Sequence, residues 1–358
     1  MAGGTNQRIF YAVQAVAIAP RGTGVLGRQH VVHGLQSVGM SSTFTLDQVF
    51  EMGQIQIYEN IEDVADIEVT LEKVIDGYRL VYNLATDGAC KTSIVAASKT
   101  RSDVYLAVYD DGQDHATGVP QTVCMNSGMY VSSVSYNYSV DGSATESVTL
   151  VGNDRFWNTS TVVANPTGIW GTGGSTNGAG SLPGITALFD GTDAPNSGVV
   201  RRVDVDLTRS TLPVIVTSQK GGDSSTEAGL SQNNHLQSIS VSTDFGQENI
   251  QELGRFGPYH RYATFPIEVT AEFEVLASSG DLVSVSGSHP NLTNNDIIIK
   301  DTAGTIIDLG GSSNGKNKLS SVSYSGGDTG GGNATVTYSF SNFNVLTVDD
   351  SATKPIVG

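Results

Sequence analysis

Residues 35–53 read LQSVGMSSTFTLDQVFEMG, and residues 236–254 read LQSISVSTDFGQENIQELG. The two stretches align without a gap, 201 positions apart. Leu35, Gln36, Ser37, Ser41, Phe44, Glu51 and Gly53 recur as Leu236, Gln237, Ser238, Ser242, Phe245, Glu252 and Gly254. Further along, IEVTLEKV (67–74) matches IEVTAEFEV (267–275) at a separation of 200, so one residue has been lost in between. SSVSY occurs at 132–136 and again at 320–324. Three blocks in the same order indicate a duplicated domain, rather than a chance likeness of Ser/Val-rich strands.

The bulk properties agree with a two-domain, all-β chain. Its 358 residues suffice for two domains of roughly 150 residues each. Charged residues make up only 15%, Gly numbers 42, and long helical periodicity is nearly absent, which favours many strands and turns. The net charge of −17 argues against ordinary nucleic-acid binding, which needs basic patches against phosphate. Such a charge fits a surface that repels nucleic acid and keeps free subunits soluble. Only Cys90 and Cys124 are present, so a disulfide scaffold is excluded. The apolar run IFYAVQAVAIAP (9–20) is short and interrupted by Gln14, and reads as a strand rather than a signal peptide. No segment reaches membrane-spanning length, and folding in a cytoplasm is expected.

The first repeat is expected over 1–154 and the second over 199–358, with a Gly/Ser-rich linker or insertion at 155–198. DIEVTLEKVI alternates with period two, as a half-buried strand does. ATDGACKTSIVAASK (85–99) is the best helix candidate, with Thr86 or Asp87 as its cap. GMYVSSVSYNYSV and ATESVTLVGND read as an antiparallel pair around an Asp141-Gly142 turn. In the second repeat VVRRVDVDL (199–207) is expected to be the opening strand, NDIIIKDTAGTIIDL a hairpin, and KLSSVSYS with ATVTYSF the closing pair.

Chemical motifs are few. GGSSNGKN (310–317) has phosphate-loop spacing, but Asn317 stands where a magnesium-holding Ser or Thr is needed. Asp204 and Asp206 share one face of the expected strand and read as solvated. DDGQDH (110–115) lacks the bidentate Glu of a calcium loop. His30 and His33 have no visible third ligand. No nucleophile elbow or Cys/His signature is present. The reading is therefore of no catalytic constellation, no metal and no cofactor.

The acids carry more information. Glu68 and Glu72 alternate around Thr70, and Glu268, Glu272 and Glu274 around Thr270. Ile67, Val69 and Leu71 point the other way, as do Ile267, Val269, Ala271 and Phe273. One face then packs, and the other is acidic and faces water. A plain solvated face is the bland account, but its recurrence in both repeats suggests one shared surface.

Taken together, LQSVGMSSTFTLDQVFEMGQIQIYENIEDV with DIEVTLEKVIDG, and LQSISVSTDFGQENIQELGRFGPYHRY with PIEVTAEFEV, resemble the major tail tube protein of tailed bacteriophages. The resemblance covers most of both repeats and none of 155–198. It implies two tandem tail-tube-type β-sandwich or barrel domains, each with a short flanking helix. Most members of that family carry one such domain and form hexameric rings stacked into a tube, while a few carry two and form trimers that look six-fold. It implies a structural virion protein, assembled in the host cytoplasm. Its partners would be other copies of itself, tape-measure and terminator proteins and, where one exists, a sheath. Double-stranded DNA would pass without specific binding. Glu68, Glu72, Glu268, Glu272 and Glu274 are the candidates for the lumen. Glu59, Glu62, Asp63, Arg255, His260 and Arg261, in the loops 53–66 and 254–266, are candidates for ring and stacking contacts, because opposite charges stand at matching places.

Composition also fits a secreted or cell-surface β-sandwich, an adhesin or glycan-binding module; the absent signal peptide and the paired motifs count against it. A tail-associated hydrolase would need an acid pair in a cleft, and none can be nominated.

Overall fold

A computed structural model describes residues 8–21, 23, 28–110, 120–158, 198–205, 213–217, 235–278, 280–283, 297–310, 316–327 and 332–350. The chain is all-β with short helices. The first half contains β1 (Gln14–Pro20), β2 (Leu35–Thr43), β3 (Leu46–Phe50), β4 (Ile57–Glu62), β5 (Asp66–Val74), α1 (Val81–Ala85), α2 (Ile94–Lys99), β6 (Ser102–Val108), β7 (Thr122–Ser139), β8 (Thr145–Gly152) and β9 (Asp154–Asn158). The second contains α3 (Val214–Thr217), β10 (Leu236–Asp244), β11 (Gln247–Ile250), β12 (His260–Ala263), β13 (Glu268–Leu276), β14 (Ile298–Lys300), β15 (Ile306–Asp308), β16 (Lys318–Ser325), β17 (Thr335–Phe343) and β18 (Thr347–Asp349).

One sheet runs through both repeats in the order β16-β17-β13-β10-β7-β8-β5-β2. Reading each repeat from its first strand gives the same antiparallel order twice: β2-β5-β8-β7, then β10-β13-β17-β16. The seam is a β7–β10 ladder pairing Ser139 with Ser238 through Ser133 with Asp244. The duplication extends to irregularities. β2 and β10 both shift register between a Leu and the Ser two residues on, at Leu35/Ser37 and Leu236/Ser238. β7 and β16 shift between Val131/Ser133 and Leu319/Ser321, around the first Ser of each SSVSY block.

The alternation predicted for DIEVTLEKV is present. Ile67, Val69 and Leu71 are buried while Glu68 and Glu72 are exposed. Val269, Ala271, Phe273 and Val275 are likewise buried. The ladders correct one detail of the alignment. Ser37 faces Glu72, whereas its equivalent Ser238 faces Glu274. β13 has therefore slid by one pleat, and the structural partner of Glu72 is Glu274. A two-residue slide keeps every side chain on its own face, so the core tolerates it, whereas a one-residue slide would invert the strand.

Each repeat buries its apolar face under a second layer. In the first, the long β7 runs on past the main sheet to pair with β6 and β9, β6 pairs with β1, and α1 and α2 fill in. In the second, the β14-β15-β18 sheet contributes Ile299, Ile307 and Val348. Lys73 interrupts the apolar face. Its Nζ donates to Asp76 Oδ1 and to the His33 carbonyl, both at 2.6 Å, which compensates a fully buried ammonium.

Three local expectations need correction. The helix in 85–99 begins only at Ile94, capped by Ser93 Oγ, which accepts from the Ala96 amide at 3.2 Å. Gly88, at φ +86°, turns the chain before it. Thr86 and Asp87 instead serve α1: Thr86 Oγ1 donates to the Tyr82 carbonyl, and Asp87 pairs with Arg79 at 3.2 Å. α1 has no capping signature in the sequence: Leu80 stands at its N-cap and makes no side-chain cap hydrogen bond. Residues 198–205 do not form an opening strand. They make isolated bridges from Arg201 to Ser143 and from Val205 to Asp301, around a turn in which Asp204 Oδ2 accepts from the Arg201 amide. Val200 bonds to Ile75 and Ala144 of the first repeat, so this segment is a crossing strap. Asp206, most of 110–115, and 311–315 lie outside the described residues, as does 159–197 of the linker.

Candidate assembly surfaces

The open face of the shared sheet is built from alternate residues of eight strands. On β5, Thr70 meets Thr149 at 3.4 Å and Glu72 Oε2 accepts from Ser37 Oγ at 3.3 Å. On β13, Glu274 Oε2 accepts from Ser238 Oγ at 3.2 Å and Glu272 Oε1 from Ser339 Oγ at 3.0 Å. Glu68, Glu72, Glu268 and Glu272 are exposed and Glu274 is half-buried. Asp244 lies exposed beside the seam. The surface is a lawn of small hydroxyls set with carboxylates. Serine and threonine neighbours orient the acids without neutralising them, so their charge reaches the solvent.

The loop candidates separate. Arg261, 5% exposed, pairs with Asp66 and its Nε donates to Asn153 Oδ1 at 3.2 Å. Burial lowers the affinity of its guanidinium for the proton, and Asp66 opposes this. His260 Nδ1 lies 2.5 Å from the Tyr130 hydroxyl, and burial, then Arg101 and Lys99, pull its pKa below 6.5. Gln247 Nε2 donates to the Ser98 and Val131 carbonyls at 3.2 and 3.0 Å. The β11–β12 hairpin is thus docked on the first repeat of its own chain, and Arg261 and His260 belong to that joint. Arg255 sits at the hairpin tip, 3.6 Å from Glu252 and over the Tyr259 ring. Glu59 and Glu62 lie exposed on β4, and Asp63 Oδ1 accepts from the Val64 amide in the following turn. The structure brings none of these three to Arg255 or Arg261.

The equivalent β3–β4 hairpin is exposed along its whole length. Phe44, Leu46, Phe50, Met52, Ile55 and Tyr58 are bare there. Both hairpin tips expose apolar side chains beside their charged ones, with Leu253 and Phe256 on the second. Patches of this kind mark interaction sites. Sequence reading selected the charged loop residues and passed over Phe44 and Tyr324, since an aromatic gives no sign of whether anything covers it.

His30 lies buried in a 3-10 turn and His33 stacks on Tyr78 at 4.1 Å between ring centroids. Asn317, the odd residue of the phosphate-loop spacing, is buried and donates to the Leu309 and Gly310 carbonyls.

These features define a class: a duplicated all-β protein whose repeats share one sheet with an acidic face, two edges unpaired among the described residues, and an exposed hairpin rich in apolar side chains. No protein-family model and no curated protein matches this chain. Among solved structures it is similar to the tube-terminating cap of the anti-feeding prophage, at 12% identity over 45% of this chain and 100% of that one, with a TM-score of 0.32. It is also similar to a chain of the extended sheath–tube complex of an extracellular contractile injection system, at 9% identity over 43% and 93%, with a TM-score of 0.32. A chain of the six-fold symmetrised anti-feeding prophage baseplate has 12% identity over 43% and 97%, with a TM-score of 0.31.

Proposed function

We propose that the chain is a structural protein of a phage-type tail, not an enzyme, and that three copies close into a pseudo-six-fold ring that stacks into a tube. The observation that carries this reading is the continuous sheet: the two repeats are joined as neighbours in a ring would be, strand edge to strand edge. Size supports it. Eight strands closed on themselves make a barrel filled by side chains, which the Glu- and Ser-covered face forbids. Three chains supply three times the eight strands. At ~4.8 Å per strand these close to a diameter of roughly 37 Å or more, an open channel rather than a core filled by side chains. The acidic face then lines the lumen. Repulsion from all sides keeps DNA from sticking, the inverse of the counterion release by which basic proteins bind. The apolar hairpin tips around Met52 and Leu253 lie free for contacts between stacked rings.

Negative-stain imaging of purified protein, with mass measurement of the particles, tests this. Six-lobed rings or tubes with a central hole and three chains per ring are expected. Two-lobed monomers at every concentration would refute it and favour the glycan-binding reading.

A further inference from the structure

The chain contains one finished junction between repeats, and that junction is a template for an unfinished one. Along the shared sheet β7 is covered by β10. Its equivalent β16 ends the sheet, as does β2, the equivalent of β10; among the described residues nothing pairs with either outer edge. Equivalent aromatic residues differ sharply in exposure. Tyr136 on β7 is 1% exposed, and Tyr324, the same residue of the second SSVSY block, is 52% exposed. Phe245 just past β10 is 0% exposed and stacks on Tyr82, whereas Phe44 just past β2 is 68% exposed. Both contrasts fall at the open edges, one on each. A groove of about 820 Å³, lined by Phe10, Tyr11, Val32, Leu35 and Val38, also opens beside β2. An uncovered strand edge with bare aromatics beside it is an association site.

We propose that β16 of one copy pairs antiparallel with β2 of the next, in the register of the internal seam, and that Tyr324 and Phe44 are buried there as Tyr136 and Phe245 already are. Transferring the pairs Val241–Tyr136 and Ser242–Ser135 through the repeat places Met40 opposite Tyr324 and Ser41 opposite Ser323. The contact is head to tail, so it closes into a ring or continues as a filament and does not stop at a two-fold dimer. The partner is a second copy of this chain because the complementary edge, β16, the equivalent of β7, belongs to the chain's own second repeat. The inference rests on the self-assembling reading above and adds to it a register that can fail separately.

Cysteines at Ser41 and Ser323, in a Cys90→Ser background, test the register under mild oxidation. Both positions are exposed on the polar face, so the fold should accept them. Disulfide-linked dimers and trimers are expected on non-reducing gels, with little product from Ser41→Cys paired with Ser325→Cys. Cross-linking by either single variant would mean a two-fold contact and overturn the proposal, as would efficient Ser41–Ser325 linkage. Parallel imaging separates the failures. Rings without the disulfide overturn the register alone, and particles that never associate overturn the tube as well. Phe44→Ser provides a second measurement: monomer unfolding should be unchanged while association weakens at least ten-fold. Unchanged association would exclude Phe44 from the contact.

Discussion

At the scale of single residues, the buried charges are tied to particular partners and carry measurable consequences. The Glu146 carboxylate is fully buried and accepts from the Val81 and Tyr82 amides at 2.6 and 3.1 Å and from the Tyr136 hydroxyl at 3.1 Å. It thereby receives two of the unpaired amides at the start of α1. Burial pushes its pKa above 4.5, against the pull of the Tyr82 and Val81 amides and of Lys73. A carboxyl with a raised folded pKa binds protons more tightly folded than unfolded, so stability falls as pH rises from 4.5 through the folded value. Denaturant titrations across that window should show this slope, and Glu146→Gln should remove it. Glu146→Ala leaves three buried donors unsatisfied and should cost about 3 kcal/mol. Arg261→Glu sets a carboxylate beside Asp66 in a site that is 5% exposed. It should destabilise by about 3 kcal/mol or more, read as a lower denaturant midpoint, before any effect on assembly is considered.

At the scale of elements, the two copies of one hairpin do opposite things. The β11–β12 hairpin lies against the first repeat, while β3–β4 stands free. Equivalent substitutions should therefore give unequal results. Phe245→Ser empties a core position and should cost about 3 kcal/mol or more, whereas Phe44→Ser should leave the unfolding of the isolated chain within ±0.5 kcal/mol. Equal losses measured by denaturant unfolding would show that the hairpins are not in different environments.

At the scale of the whole molecule, charge decides what the sheet can face. With a net charge of −17 and carboxylates across the polar face, the protein should show no DNA binding by fluorescence anisotropy even at low salt. Converting Glu68, Glu72, Glu268 and Glu272 to Lys replaces acids at exposed positions and should leave stability nearly unchanged. It should create DNA binding that weakens steeply as salt rises. Wild-type binding of comparable strength would mean that the acidic face does not govern contact with DNA.

The duplication, the all-β class, the period-two face of β5 and β13, and the closing strand pairs were legible in the sequence, because each depends on local alternation or on direct comparison of one stretch with another. The helix boundary in 85–99, the turn in place of a strand at 199–205 and the one-pleat slide of β13 were not. Each depends on which distant group satisfies a backbone amide or fills the second layer. The sequence shows that Phe44 and Phe245 are the same residue twice. Only the tertiary structure decides that one is core and the other surface, because β10 has a sheet edge to lie on within its own chain and, among the described residues, β2 does not.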